Sequence, residues 1–202
     1  GYPALVAAAL RNGVRGPFGA YVGQDDKDPE TYVLSVYQGG IGMPDRDYYL
    51  SDNPKMADTR TAYVAHLQKM LELAGQSDAA ARAKAVMAFE TEIAKVHWTR
   101  VDSRDADKTY NKMTVAQLDA SAPGFSFAAA FKANNIPATD VLVAQPSALA
   151  GIAKLIGATD LAVLKDQLLL RSLDGFADYL PDAFGKENFA FFGTALSGTP
   201  ER

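Results

Sequence analysis

The sequence predicts a mainly α fold: a helical bundle-like lobe with one small β-hairpin near the amino terminus. Three observations carry that expectation. Apolar residues recur at three- and four-residue spacing from residue 53 onward. Period-two alternation is confined to the first forty residues. Capping residues, glycines and prolines fall at the ends of the periodic stretches. With 202 residues, 48% of them hydrophobic, the chain can bury a genuine core.

The hairpin comes first. "GAYVGQDD" and "ETYVLSVYQGG" are short runs rich in Val and Tyr, with Tyr32, Leu34 and Val36 on one side and Val33, Ser35 and Tyr37 on the other. The acidic "QDDKDPE" between them predicts a long polar turn, because Asp favours turns and Pro29 cannot continue a ladder. No other strand pair is evident.

Next comes "GGIGMPDRDYYL", Gly39 to Leu50. Its glycines can supply positive φ, Pro44 stiffens the turn, and Tyr48 and Tyr49 can anchor it in two directions. Asp45 and Asp47 flank Arg46, which favours neutralising ion pairs over a proton-sharing carboxylate dyad. A shape-holding loop is therefore expected in preference to a catalytic one.

Asn53-Pro54 reads as a cap with proline in the first turn of a long helix. Tyr63, Leu67, Met70, Leu71 and Ala74 form its stripe, and Gly75 closes it. Ser77 or Asp78 caps a second long helix with the stripe Val86, Phe89, Ile93 and Val96, running to about Trp98; the two make an antiparallel hairpin. After the loop "TRVDSRDADKTYNKM", short helices are expected from Thr114, over Phe125–Ala133 and over Gln145–Ile156, the last stopped by Gly157. Thr159 or Asp160 caps a last long helix whose broad apolar face is Leu161, Leu164, Leu168, Leu169, Leu173, Phe176 and Leu180. Pro181 ends it, and a final helix starts near Glu187. No internal repeat is present.

Chemistry is sparse. The two histidines, His66 and His97, lie on different helices with no second histidine four residues away, so both read as structural. His-Glu-x-x-His and Gly-x-Ser-x-Gly are absent, and without cysteine there is neither a disulfide nor a thiol nucleophile. The run Asp25 to Glu30 lacks calcium-loop spacing and reads as a solvated turn. Gly39-Gly40-Ile41-Gly42 lacks the Lys and the following helix of a phosphate loop. A net charge of −4 argues against nucleic acid or an anionic membrane as the main partner. No stretch approaches the ~20 apolar residues of a membrane span.

"GGIGMPDRDYYL" resembles the Gly-Leu-Gly-Leu-Pro-x-Arg-Asp-Tyr-Tyr signature of the neprilysin and endothelin-converting-enzyme family of zinc metallopeptidases. "YVGQDDKDPETYVLSVYQ" (21–38), "FETEIAKVHWTRVDSRDADKTYNKMTVAQL" (89–118) and "FFGTALSGTPER" (191–202) resemble further family segments in the same order. The cysteines and Asn-x-Ser/Thr sites of vertebrate members are missing here, as in a bacterial member. Phe127 stands where the family often has Trp.

The resemblance implies a fragment, 1–202, forming the helical non-catalytic lobe of a zinc-dependent metalloendopeptidase: hairpin and signature loop over 1–50, helices over 51–202. Zinc belongs to the parent enzyme. The family's zinc helix, downstream glutamate ligand and substrate-binding stretch fall beyond the matched region, so no catalytic, cofactor-binding or metal-ligating residue is assigned to this chain and the fragment alone is expected to be inactive. The implied partners are peptide substrates and the missing catalytic lobe of the same protein, with no membrane contact from this segment. The implied location is exported, periplasmic or extracytoplasmic. The competing expectation is a stand-alone helical binding or scaffolding module. Phe189, Phe191 and Phe192 are expected to be under-packed, near a crossover to the missing lobe.

Overall fold

The computed structural model describes residues 1–200. The chain opens with helix α1 (Tyr2–Arg11), which has Pro3 in its first turn and Gly13 beyond its end at φ +74°. Strands β1 (Phe18–Asp25) and β2 (Asp28–Gln38) pair antiparallel from Phe18↔Gln38 to Asp25↔Asp28, with an irregularity between Gln24 and Asp25. The turn is thus only Asp26-Lys27. The expected long polar turn is wrong: β2 takes in Pro29, whose missing N–H is harmless near a strand end.

After the glycine loop and one short helical turn, α2 (Asp47–Leu50), come the two long helices α3 (Pro54–Leu73) and α4 (Ala79–Val96). The Asn53 side chain caps α3 by accepting from the Lys55 N–H at 2.9 Å, and Gly75 leaves at φ +68°. Asp78 precedes α4 in the left-handed region and makes no side-chain cap bond. A short helix α5 (Ala106–Thr109) leads to strand β3 (Asn111–Thr114) and helix α6 (Val115–Ser121). Thr114 and Gln117 form a reciprocal capping box there. Helix α7 (Phe127–Ala133), strand β4 (Asp140–Val143), α8 (Pro146–Ala158) and α9 (Leu161–Phe176) follow. Helix α8 runs through Gly157 rather than stopping at it. A bare glycine is needed there because its backbone packs on Gly124, at φ +111°.

The main correction concerns the sheet. It has four strands in the order β1-β2-β4-β3, with β2 and β4 parallel and β3 and β4 antiparallel. Strands β3 and β4 are four residues each, too short to show a period; β4 pairs with β2, more than a hundred residues earlier, and β3 with β4 across the intervening α6 and α7. Helix α1, in the stretch read only for its hairpin, is the other addition.

The carboxyl end also differs. Helix α9 passes into a 3-10 turn at Ala177–Tyr179; α10 (Asp182–Asn188) starts before Glu187 and runs on as a π-helix over Phe189–Leu196. Phe191 is only 3% exposed, against Tyr63 and His66, and Phe189 and Phe192 are half-buried. The expected under-packing is therefore not found at Phe191, while Phe189 and Phe192 keep part of their surface open. Glu201 and Arg202, which end the "FFGTALSGTPER" motif, lie outside the described residues.

Two apolar clusters organise the molecule. One joins the sheet to α1, α6, α7 and α8 through Val36, Val141, Val143, Phe127, Leu149 and Ile152. The other joins α3, α4, α9 and α10 through Tyr63, Leu67, Met70, Val86, Leu170 and Phe184. Each fully buried Leu or Phe contributes about 1.5–3 kcal/mol. Helix α4 serves both clusters, Phe89 and Ile93 facing one and Val86 and Ala94 the other. The glycine loop lies where they meet, since Ile41 packs against both.

Candidate groove and the charge cluster beneath its loop

Residues 39–46 form one wall of a groove of about 810 Å³. The start of β1 (Phe18 to Ala20), the segment His97–Arg100, and Phe192 with Leu196 supply the others. Its charged lining is mostly cationic: Arg15, Arg46, Arg100 and the buried Arg171 against Asp45, which pairs with Arg100 at 3.3 Å. Arg46 does not neutralise its two flanking aspartates. Its Nε donates to the Ala94 carbonyl at 3.3 Å, while the Asp45 carboxylate accepts from the Asp47 N–H at 2.8 Å.

What fixes the loop lies underneath it. Glu90 on α4 is fully buried. One carboxylate oxygen accepts from the Gly42 N–H (3.1 Å), Tyr49 Oη (2.7 Å) and Tyr63 Oη (2.9 Å). The other accepts from Gln167 Nε2 (3.1 Å) and from Arg171 Nη2 in a short ion pair. The same groups reach the loop directly. Tyr49 Oη accepts from the N–H groups of Gly42 (2.9 Å) and Met43 (3.0 Å), and Gln167 Nε2 donates to the Gly40 carbonyl (2.8 Å). Every lone pair of this buried carboxylate thus has a donor.

The neighbours respond accordingly. Burial raises the Tyr49 phenol well above its ordinary value and the Glu90 charge raises it further. Tyr63 is raised in the same way, burial first. Burial alone would depress the Arg171 guanidinium, but the charge of Glu90 overrides it and holds the pKa well above the usual range. Arg171 is thus a guanidinium, and Tyr49 and Tyr63 are neutral phenols, at any physiological pH.

Gly40 takes φ +84°, as a glycine-rich loop would suggest, but Gly42 does not share that reason. A Cβ on Gly42 would collide with Tyr63 Oη and the Arg171 guanidinium, so glycine is required there for close approach. Tyr49 goes inward and Tyr48 stays half-buried, as two differently directed anchors.

Both histidines are engaged by hydrogen bonds within the fold. His97 Nε2 donates to the Gly39 carbonyl at 2.8 Å, and burial lowers its pKa, so it is neutral. His66 lies between Asp174 at Nε2 (3.0 Å) and Glu187 at Nδ1 (3.1 Å). Zinc, which the family resemblance implies for a parent enzyme, finds no ligand set among the described residues. His66 has both nitrogens engaged, His97 has one given to a carbonyl, and no group of three or more potential ligands converges. The acidic turn is also used internally. Asp25 is 1% exposed and takes Lys112 Nζ (2.7 Å), Tyr110 Oη (2.8 Å) and the Lys27 N–H (3.0 Å), so it is not a solvated turn residue.

The sequence argument missed Glu90, Arg171 and Gln167. A signal was available: Glu90 falls four residues after Val86 and three before Ile93, on the apolar stripe of its helix. Gln167 and Arg171 are likewise one turn apart on the buried face of α9. Charges on a core-facing stripe demand buried partners.

The family model for "Peptidase family M13" matches residues 2–202. Endothelin-converting enzyme 1 of Rattus norvegicus is 28% identical over 194 residues, 91% of this chain and 26% of its own length. The endothelin-converting enzyme homolog of Locusta migratoria is 36% identical over 124 residues, 60% of this chain and 17% of its own. Among solved structures, Mycobacterium tuberculosis zinc metalloprotease Zmp1 in its open state matches with a TM-score of 0.93 and 32% identity, covering 99% of this chain and 32% of that one. PepO of Lactobacillus rhamnosis, 17% identical with a TM-score of 0.77 over 98% of this chain and 32% of its own, shares the fold. The chain spans about a quarter of the curated relative from rat and about a third of these solved chains.

Proposed function

The chain belongs to peptidase family M13, and on that premise we propose that it is the helical, non-zinc lobe of an exported zinc-dependent metalloendopeptidase. Its role is to form one side of the cavity that encloses peptide substrates, with the glycine-loop groove on the enclosing face. The observation that carries this reading is the match to Zmp1 over 99% of this chain and only 32% of that one. The sequence has no His-Glu-x-x-His, and no group of three or more potential metal ligands converges among the described residues. The cationic lining of the groove suits peptide carbonyls and carboxylates.

The test separates the lobe from the whole. The purified 202-residue chain should bind no stoichiometric zinc and cleave no peptide. Co-expressed with the catalytic portion from the same gene, it should restore chelator-sensitive cleavage of short peptides. One tightly bound zinc per chain, lost on replacing His66 or His97, would overturn the assignment. No activity from the paired halves would favour the stand-alone binding module instead.

A further inference from the structure

We infer that His66 is a proton-operated latch that holds the carboxyl-terminal segment, Glu187 to Leu196, onto α3 and α9 and so sets one wall of the groove. The inference goes beyond the lobe's role as a wall, and its readout needs no peptide cleavage.

The geometry is a ladder of alternating charges. Glu187 on α10 faces His66 on α3; His66 faces Asp174 on α9; Asp174 pairs with Arg171 at 3.2 Å; and Arg171 pairs with Glu90 on α4. Tyr63, one turn before His66, is the other titratable neighbour and remains neutral. From the π-helical segment only rings face the imidazole. Phe191 stacks on it at 5.0 Å and 18°, and Phe192 meets it edge-on at 5.4 Å and 80°.

Two carboxylates at opposite ring nitrogens require both nitrogens to donate, which only the imidazolium can do. Burial opposes that charge, but the hydrogen bonds to Asp174 and Glu187 outweigh it, leaving the pKa above its ordinary value of 6.5. The cation also gains from the stacked face of Phe191. Loss of the proton removes one donor, so one carboxylate loses its partner, and leaves three carboxylates facing a single guanidinium.

The sign follows. A histidine whose pKa is raised in the docked state contributes fully below about 6.5, and its contribution is lost as pH rises through the docked value. Docking should weaken about tenfold for every pH unit between those two values. The Glu187 rung gives first, because its side chain is 25% exposed whereas that of Asp174 is 12% exposed and also held by Arg171. The bond from Asn188 Nδ2 to the Asp174 carbonyl, at 3.4 Å, does not titrate and keeps α10 near α9. What loosens with the Glu187 rung is the π-helical segment that continues α10, because the neutral ring also loses the cation's attraction for the stacked face of Phe191. Phe192 and Leu196 line the groove, so its wall loosens with them.

The experiment is amide hydrogen exchange on the chain between pH 5.5 and 9, with the β1–β2 amides as internal reference, alongside an NMR titration of the His66 ring. Protection over residues 189–196 should fall relative to the reference as pH rises, with the midpoint that the ring reports. Glu187→Gln should move that midpoint to lower pH, and His66→Gln should make the profile flat. Should His66→Gln not fold, Glu187→Gln at the rim still decides. Protection that stays level in the wild-type chain, a His66 titration below 6.5, or a midpoint unmoved in Glu187→Gln would overturn the latch.

Discussion

Two carboxylates in this molecule are almost free of solvent contact, and they do different work. Glu90 lies beneath the glycine loop with five donors on its two oxygens, all of them from groups in the interior or in the loop itself. Asp25 closes the end of the hairpin with three donors, of which the charged one, Lys112, is 43% exposed. Low exposure of the carboxylate alone does not decide what it is worth. The distinction lies in whether its counter-charge is also out of water, because a solvated lysine screens and is replaceable, whereas a buried guanidinium is neither. One carboxylate fixes a loop from within, and the other trims a sheet corner from outside.

The comparison breaks most visibly at Glu90. Glu90→Ala leaves Arg171 charged and buried with only Asp174 as counter-charge, takes the acceptor from the Tyr49 and Tyr63 hydroxyls and opens a cavity. Urea unfolding should show a loss of about 3–5 kcal/mol. Pairing Glu90→Gln with Arg171→Met should cost less than the sum of the two single changes, since neither charge is then left alone. A loss below about 1 kcal/mol for Glu90→Ala would place Glu90 in the same class as Asp25.

A smaller effect is expected where the loop meets the cluster. Gly42→Val would drive a side chain into Tyr63 and the Arg171 guanidinium, and forcing them aside costs about 1–3 kcal/mol. Asp45→Asn, at the rim with Arg100 69% exposed, should cost under about 1 kcal/mol in the same melts. The cost at Gly42 comes from close packing and not from backbone conformation. Gly42→Ala sharpens the point, because steric conflict penalises even one methyl. A neutral Gly42→Ala would mean that the cluster can shift aside.

Much of this contrast could be read in the residues beforehand, and what could not has a common cause. Helices α3, α4 and α9 declared themselves by long stripes and by the signals Asn53-Pro54 and Gly75, because local spacing reports which face is buried. Strands β3 and β4 did not, because a four-residue strand is defined by the partner it meets, and Val141 meets Leu34 across more than a hundred residues. The glycine loop was legible as a shape-holder. The residues that hold it were not, since Glu90, Gln167 and Arg171 come from two helices far apart in sequence. Asp25 was misread for the same reason: its donors Tyr110 and Lys112 follow a long loop that the local pattern does not place.

The smallest expected effect is at Asp25, and pH reveals it. The hydrogen bond from Lys112 acts first, with those from the Lys27 N–H and Tyr110, to bring its carboxyl from 3.8 down to about 2. A depressed carboxylate contributes stability above its unfolded value and loses it as pH falls through the folded one, so the window is between about pH 4 and pH 2. In that window the hairpin end and β3 should lose exchange protection ahead of the glycine loop, which rests on interior donors. Asp25→Asn should abolish this acid-dependent change while lowering stability at neutral pH by much less than Glu90→Ala does. Raising the salt concentration should weaken the Asp25 contribution, because Lys112 is open to counter-ions, and leave that of Glu90 unchanged. If Asp25 instead titrates near 4, or if salt affects both carboxylates alike, then exposure of the counter-charge is not what separates them.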